Sequence, residues 1–218
     1  MPCDMLSEDL QIDLLEKPNL LSAVRSTGYR TWEAALPLAS SLAISPEKVE
    51  GKKVLELGAG TGLLSFLCAK HLNASRVVAT DGDAVTVDRL TTSNAHNGFE
   101  KPHAESKTKF GIFRWGEPFA GTLIDEELKL GLFDIVLAAD VVRALRRWGC
   151  PLLTVPAKTY EPSSFPALVK TLCDILSVQS CTEILVSAPI RNQETLNVFL
   201  NICGQFQTFF ARTSRFPF

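Results

Sequence analysis

Apolar residues recur along the chain with two different periods, and segments of the two kinds alternate. Trp32, Ala35, Leu36, Leu38, Ala39 and Leu42 fall at helical spacing within Thr31 to Leu42, with Pro37 either kinking that helix or lying in its first turn. Lys53 to Leu57 is a short apolar strand, followed by a glycine turn and a helical stretch from Leu63 to Leu72. Arg76 to Thr80 predicts a second strand and Ala84 to His96 a second helix of the same series. Strands are then expected at Thr108 to Phe113, Phe133 to Ala139 and Glu183 to Ala188, with helices at Phe165 to Leu176 and Glu194 to Cys203. Ahead of these, residues 1–27 read as an irregular lead-in, in which the alternation of Leu10, Ile12 and Leu14 suits one short strand.

Strands that are apolar throughout and alternate with helices predict an α/β fold. The expected architecture is a doubly wound, mostly parallel, Rossmann-like sheet with helices on both faces. Residues 28–218 form the expected domain, and 218 residues suffice to bury about two thirds of the unfolded surface.

Composition narrows the partners. A net charge of -2 gives no electrostatic reason to expect nucleic acid or an anionic membrane. The longest apolar runs, such as Ile135 to Ala139, are far shorter than the roughly 20 residues a membrane helix needs. The acidic start Met1 to Asp13 is unlike a signal peptide, so a cytoplasmic location is expected. The cysteines at 3, 68, 150, 173, 181 and 203 lack metal-binding spacing and read as reduced, mostly core thiols, and no metal is expected.

Candidate chemistry concentrates in Glu56-Leu57-Gly58-Ala59-Gly60-Thr61-Gly62, at the carboxyl end of the first strand. Ligands of open parallel sheets bind beyond that end, where the strand order reverses. Glycine at alternate positions lets the backbone approach a ligand without an intervening Cβ. Asp81 closes the second strand, about twenty residues past the loop, where a carboxylate can accept both hydroxyls of a ribose. A dinucleotide oxidoreductase normally carries glycines spaced for a pyrophosphate, so an NAD-linked oxidoreductase is the alternative chemistry.

The E-L-G-A-G-T-G-L pattern resembles the first motif of S-adenosylmethionine-dependent methyltransferases. Further residues resemble one branch, the seven-β-strand protein-lysine methyltransferases that include the elongation factor 2 lysine methyltransferases. These are Thr27 to Ala35 around Trp32, Asn94 and Asn97 ending the helix after Asp81, and Arg114-Trp115-Gly116 after the third strand. The resemblance implies S-adenosylmethionine as cofactor, with Trp32 against it and Trp115 flanking its adenine. The candidate cofactor-binding set is therefore Trp32, Glu56, Gly58, Gly60, Gly62, Asp81, Trp115 and Ala139. It also implies a protein substrate, with elongation factor 2 the example.

By the same resemblance, Asp140 at the end of the fourth strand would grip the incoming lysine and Tyr160 would wall its channel. The family's acid, two spacers and aromatic are interrupted here, because Ala139-Asp140-Val141 is separated from Thr159-Tyr160 by residues 142–158. That segment reads either as a surface insertion or as a translated intron, since its codons are compatible with a splice donor at Val142-Arg143 and an acceptor at Lys158. Phe206 to Phe210 suits a sixth strand with little left for a seventh, so an incomplete carboxyl-terminal strand pair is expected. A cofactor-binding module with an impaired acceptor site is the second alternative.

Overall fold

The computed structural model describes residues 10–16, 30–99, 106–139, 164–179 and 182–187, together with Asn197 and Asn201. Its elements are α1 (Ala35–Ile44), β1 (Lys53–Leu57), α2 (Leu63–Lys70), β2 (Arg76–Asp81), α3 (Ala84–His96), β3 (Thr108–Ile112), α4 (Leu123–Leu130), β4 (Ile135–Ala139), α5 (Ser164–Val178) and β5 (Glu183–Ser187). A single 3-10 turn at Pro46–Lys48 connects α1 to β1.

Among the described residues the sheet has five strands in the order β3-β2-β1-β4-β5, all pairs parallel. The order reverses between β1 and β4, which are direct neighbours. Alternate residues supply two cores. Val54, Val77, Ile135 and Leu137 pack with Leu38 and Leu42 of α1 and Leu64 and Leu67 of α2. Leu55, Val78, Val136 and Ala138 pack on the other face with Ile124 of α4 and Leu168, Val169, Leu172 and Ile175 of α5. Strands covered on both sides explain why β1 is buried at every position.

The helices begin for identifiable local reasons. Pro37 lies in the first turn of α1, where the backbone N–H it lacks would have had no partner within the helix. Asp83 caps α3, its carboxylate accepting from the Thr86 N–H at 3.2 Å and the Thr86 hydroxyl at 3.0 Å.

Two features differ from the sequence pattern. Residues 10–16 are irregular rather than a strand, with no ladder partner among the described residues. The additional helix, α4, buries only Ile124 and Glu127. Its inward face carries a carboxylate beside Ile124. The signal that identifies it is its cap: Thr122 precedes Asp125 and Glu126, and its hydroxyl accepts from the Asp125 N–H at 3.4 Å.

Glu127 receives three cations from the amino-terminal ends of the strands. Lys53 approaches at 3.2 Å, Arg76 at 2.6 Å and Lys109 at 3.1 Å. Arg76 is bidentate, donating from Nε and Nη2. Burial pushes the Glu127 carboxyl up, but hydrogen bonds and charge from Arg76, Lys109 and Lys53 prevail and hold it near 2. This cluster fastens α4 under the sheet, at the end opposite the glycine loop. No described helix is long and apolar enough to cross a membrane. The expected helix at Glu194 to Cys203 is described only at Asn197 and Asn201, both helical. The expected strand at Phe206 to Phe210 lies outside the described residues.

Candidate functional site

The segment from Gly58 to Gly62 joins β1 to α2 beside the neighbouring end of β4, at the reversal of strand order. Gly58, Gly60 and Gly62 all take positive φ, at 72°, 54° and 83°. Gly62 has the strictest requirement. A Cβ there would lie 2.5 Å from Leu90 Cδ2 and 2.7 Å from Phe66 Cε2, both in fully buried side chains, so it permits helix α2 to start against α3.

Hydrogen bonds consume most of the loop's donors internally. The N–H groups of Gly58 and Ala59 both donate to the Thr80 carbonyl, at 2.8 and 3.0 Å, and Gly62 donates to the Ala59 carbonyl at 2.8 Å. Gly60 donates to Asp81 Oδ2 at 3.1 Å, while Asp83 N–H donates to Asp81 Oδ1 at 3.0 Å. Asp81 thus joins the end of β2 to the loop. Burial raises its carboxyl above the ordinary value, against the opposing effect of these backbone donors. Each oxygen keeps lone pairs for further donors.

Glu56 is 3% exposed, behind the loop. One of its oxygens accepts from the Ser65 N–H at 2.9 Å and also from the Ser65 hydroxyl, so it occupies the amino terminus of α2. Burial lifts the Glu56 carboxyl to about 7, the Ser65 donors oppose the rise, and the Asp81 charge adds to it.

A cleft of about 310 Å³, counting its open mouth, lies over this loop. Its walls are Arg30, Trp32, Ala35, Glu56, Gly58, Ala59, Gly60, Thr61, Leu63 and Ala139. The entrance is tied to the loop by Thr31, whose hydroxyl is 2.9 Å from that of Thr61, and whose N–H donates to Glu16 Oε1 at 2.7 Å. The Arg30 guanidinium carbon stands 4.7 Å from the centre of the Trp32 ring.

Of the sequence candidates, Trp32, Glu56, Gly58, Gly60 and Ala139 line this one cleft. Gly62 and Asp81 support it from behind, through helix packing and through the Gly60 hydrogen bond. Trp115 is on the other side of the sheet layer, half-buried against the core of α4 and α5, and the next residue, Gly116, donates to Thr171 Oγ1 of α5 at 2.8 Å. Asp140, Tyr160 and residues 142–158 lie outside the described residues. Arg30, Thr31 and Thr61 are cleft or entrance residues to which the motif reading gave no role. The signal for Arg30 was its cationic charge two positions before the tryptophan.

Comparison with known proteins matches residues 19–205 to a family described as lysine methyltransferase. The chain is 38% identical over 200 residues to the protein-lysine N-methyltransferase EFM3 of Chaetomium thermophilum, covering 91% of this chain and 53% of that protein. It is 28% identical over 181 residues to the protein-lysine N-methyltransferase EEF2KMT of Mus musculus, covering 80% of this chain and 48% of that protein. The chain therefore spans about half the length of these relatives. Among solved structures, a ribosomal protein L11 methylase from Lactobacillus delbrueckii subsp. bulgaricus shares the fold at TM-score 0.50 and 17% identity, over 82% of this chain and 70% of that one.

Proposed function

Because the chain belongs to the lysine methyltransferase family, we propose that it is the cofactor-binding and methyl-transferring part of an S-adenosylmethionine-dependent protein-lysine N-methyltransferase. The observation that carries the cofactor assignment is the position of Glu56. In a dinucleotide-binding fold, the free N–H groups at the start of the first helix hold the pyrophosphate. Here the Glu56 carboxylate takes the Ser65 N–H and hydroxyl. Two further loop donors are directed to Thr80 and one to Asp81. A pyrophosphate would meet carboxylates where it needs donors, which disfavours NAD. S-adenosylmethionine has no phosphate and carries a sulfonium and an ammonium group against one carboxylate, so its net positive charge suits an acidic wall.

The residues that would hold it are Glu56, Gly58, Gly60 and Ala139 along the cleft, Trp32 at its mouth and Asp81 through the ribose hydroxyls. When bound, the cofactor supplies a methyl group made electrophilic by the sulfonium. The protein must present a neutral lysine amine in line with it and exclude water. Asp140 is bonded to Ala139, a wall of the cleft. Its carboxylate is suited to hold and orient the amine, and an aromatic such as Tyr160 would narrow the channel and lower the amine's pKa by desolvation.

The acceptor we propose is a translation factor, with elongation factor 2 the first candidate, supported by likeness to the mouse relative whose name carries that factor. The same reading gives a cytoplasmic location. The deciding experiment incubates the protein with radiolabelled cofactor and a cell extract, then with purified elongation factor 2, and identifies the labelled band and residue. A labelled lysine in that factor supports the proposal. Calorimetric binding of the cofactor with no labelled protein would instead favour a module impaired by the sequence between Asp140 and Tyr160.

A further inference from the structure

Residues 31–34, the approach to α1, are fastened at their two ends to different parts of the sheet. At one end the Thr31 hydroxyl is 2.9 Å from that of Thr61, in the loop that follows β1. At the other, the Ser187 hydroxyl donates to the Ala34 carbonyl at 2.7 Å, joining residues 153 positions apart. Ser187 is the last residue of β5 and pairs in register with Ala139, the last residue of β4. Because β4 lies between β1 and β5, the segment crosses the carboxyl end of β4, and Trp32 and Ala35 share the cleft wall with Ala139. Asp140 follows Ala139 directly. The Ala35 N–H donates to the Trp32 carbonyl at 3.0 Å, closing a turn that contains Ala34. A shift of Ala34 is therefore carried to Trp32.

We propose that Ser187 is a positioning residue for methyl transfer: by holding the Ala34 carbonyl, it sets the Trp32 turn over the end of β4, where the acceptor lysine meets the cofactor. This rests on the methyltransferase reading above. The two ends of the segment then have separate duties. Thr31 and Thr61 act at the glycine loop, on cofactor binding, whereas Ser187 acts on the acceptor side, on transfer. In-line displacement is sensitive to alignment, and a misplacement of about 1 Å can cost on the order of a hundredfold in rate. One neutral hydrogen bond at a half-buried hydroxyl is by contrast a minor part of the stability of a fold. Loss of the Ser187 hydroxyl should thus be felt in the reaction before it is felt in folding.

The test follows radiolabel transfer from S-adenosylmethionine into the proteins of a cell extract at several cofactor concentrations, with cofactor binding measured separately by calorimetry. The full chain is compared with Ser187→Ala and Ser187→Thr. Ser187→Ala is expected to lower the limiting rate by about tenfold or more, with cofactor affinity and the thermal transition unchanged. Ser187→Thr keeps a hydroxyl at a strand position, where a β-branched residue fits, and is expected to restore most of the rate. An unchanged limiting rate in Ser187→Ala, a loss that Ser187→Thr leaves in place, or a comparable weakening of cofactor binding would overturn the inference while leaving the methyltransferase reading intact. Absence of transfer by the full chain would overturn both.

Discussion

The side-chain amide of Asn97 holds both backbone polar groups of Asp13: Oδ1 accepts from the Asp13 N–H at 3.0 Å and Nδ2 donates to the Asp13 carbonyl at 2.8 Å. One side chain thereby substitutes for a neighbouring strand, at the end of α3. The His71 ring is 3.0 Å from the Gln11 carbonyl, and Arg89 donates to the Leu15 carbonyl. Ile12 and Leu14 turn inward against α2 and α3. Residues 10–16 therefore form a strap that continues to the site, since Glu16 accepts from the Thr31 N–H at the cleft entrance.

Asn97→Ala would leave both polar groups of Asp13 without this partner, at a cost of about 1–2 kcal/mol. The expected outcome is faster amide hydrogen exchange across residues 11–15, together with weaker cofactor binding through the loosened Thr31. Unchanged exchange at Asp13 would show that the amide does not hold the strap.

The Glu127 cluster makes stability dependent on pH in one direction. Its carboxyl is held near 2 when folded, against an ordinary value of 4.5. The folded state therefore binds its proton less readily than the unfolded state. The stabilisation is complete above about 4.5 and is lost as pH falls toward 2. Glu127→Gln removes the charge that three cations share, and should cost about 3 kcal/mol near neutrality. Denaturant titrations at pH 7 and pH 3 would measure it, with the difference between variant and parent shrinking at the lower pH.

The sheet was legible because its central strands β1, β2 and β4 are short apolar runs buried almost throughout and alternate with helices. Lys53 to Leu57 and Ala84 to His96 agree with the structure to the residue. What escaped depends on polar groups facing inward. Helix α4 turns Glu127 to the core, and the strap has the alternation of a strand because Ile12 and Leu14 are half-buried against α2 and α3, yet its backbone is satisfied by side chains. The glycine loop was readable from local spacing. The closing of the entrance by Thr31 and Thr61 depends on how residues thirty positions apart are brought together, and the contact of Arg30 with Trp32 depends on the local backbone path.

Asp81 and Asp140 are expected to divide binding from transfer. Asp81→Ala removes the acceptor for the Gly60 N–H as well as the proposed ribose acceptor, so cofactor binding should be abolished. Asp140→Ala should retain binding and lose methyl transfer. Calorimetry and radiolabel transfer on both variants check this, and equal cofactor affinity in the two would contradict the division.

Glu56 should couple cofactor binding to pH with a sign opposite to its effect on folding. Burial holds its carboxyl at about 7 when folded, against 4.5 ordinarily, so its favourable contribution to stability is complete below 4.5 and is lost as pH rises through about 7. A cofactor of net positive charge beside Glu56 reverses the preference, because it favours the ionised carboxylate and lowers its pKa. Binding must then release protons around neutrality, and affinity should rise with pH by at most about tenfold per unit until Glu56 is ionised in the free protein. Calorimetry in two buffers of different ionisation enthalpy measures the released proton directly. Glu56→Gln keeps an acceptor for Ser65 but cannot titrate, so its proton release should be smaller than the parent's and its affinity should change less between pH 6 and pH 8. Equal proton release in parent and variant would assign the titration to another group, leaving Glu56 a purely structural cap on α2.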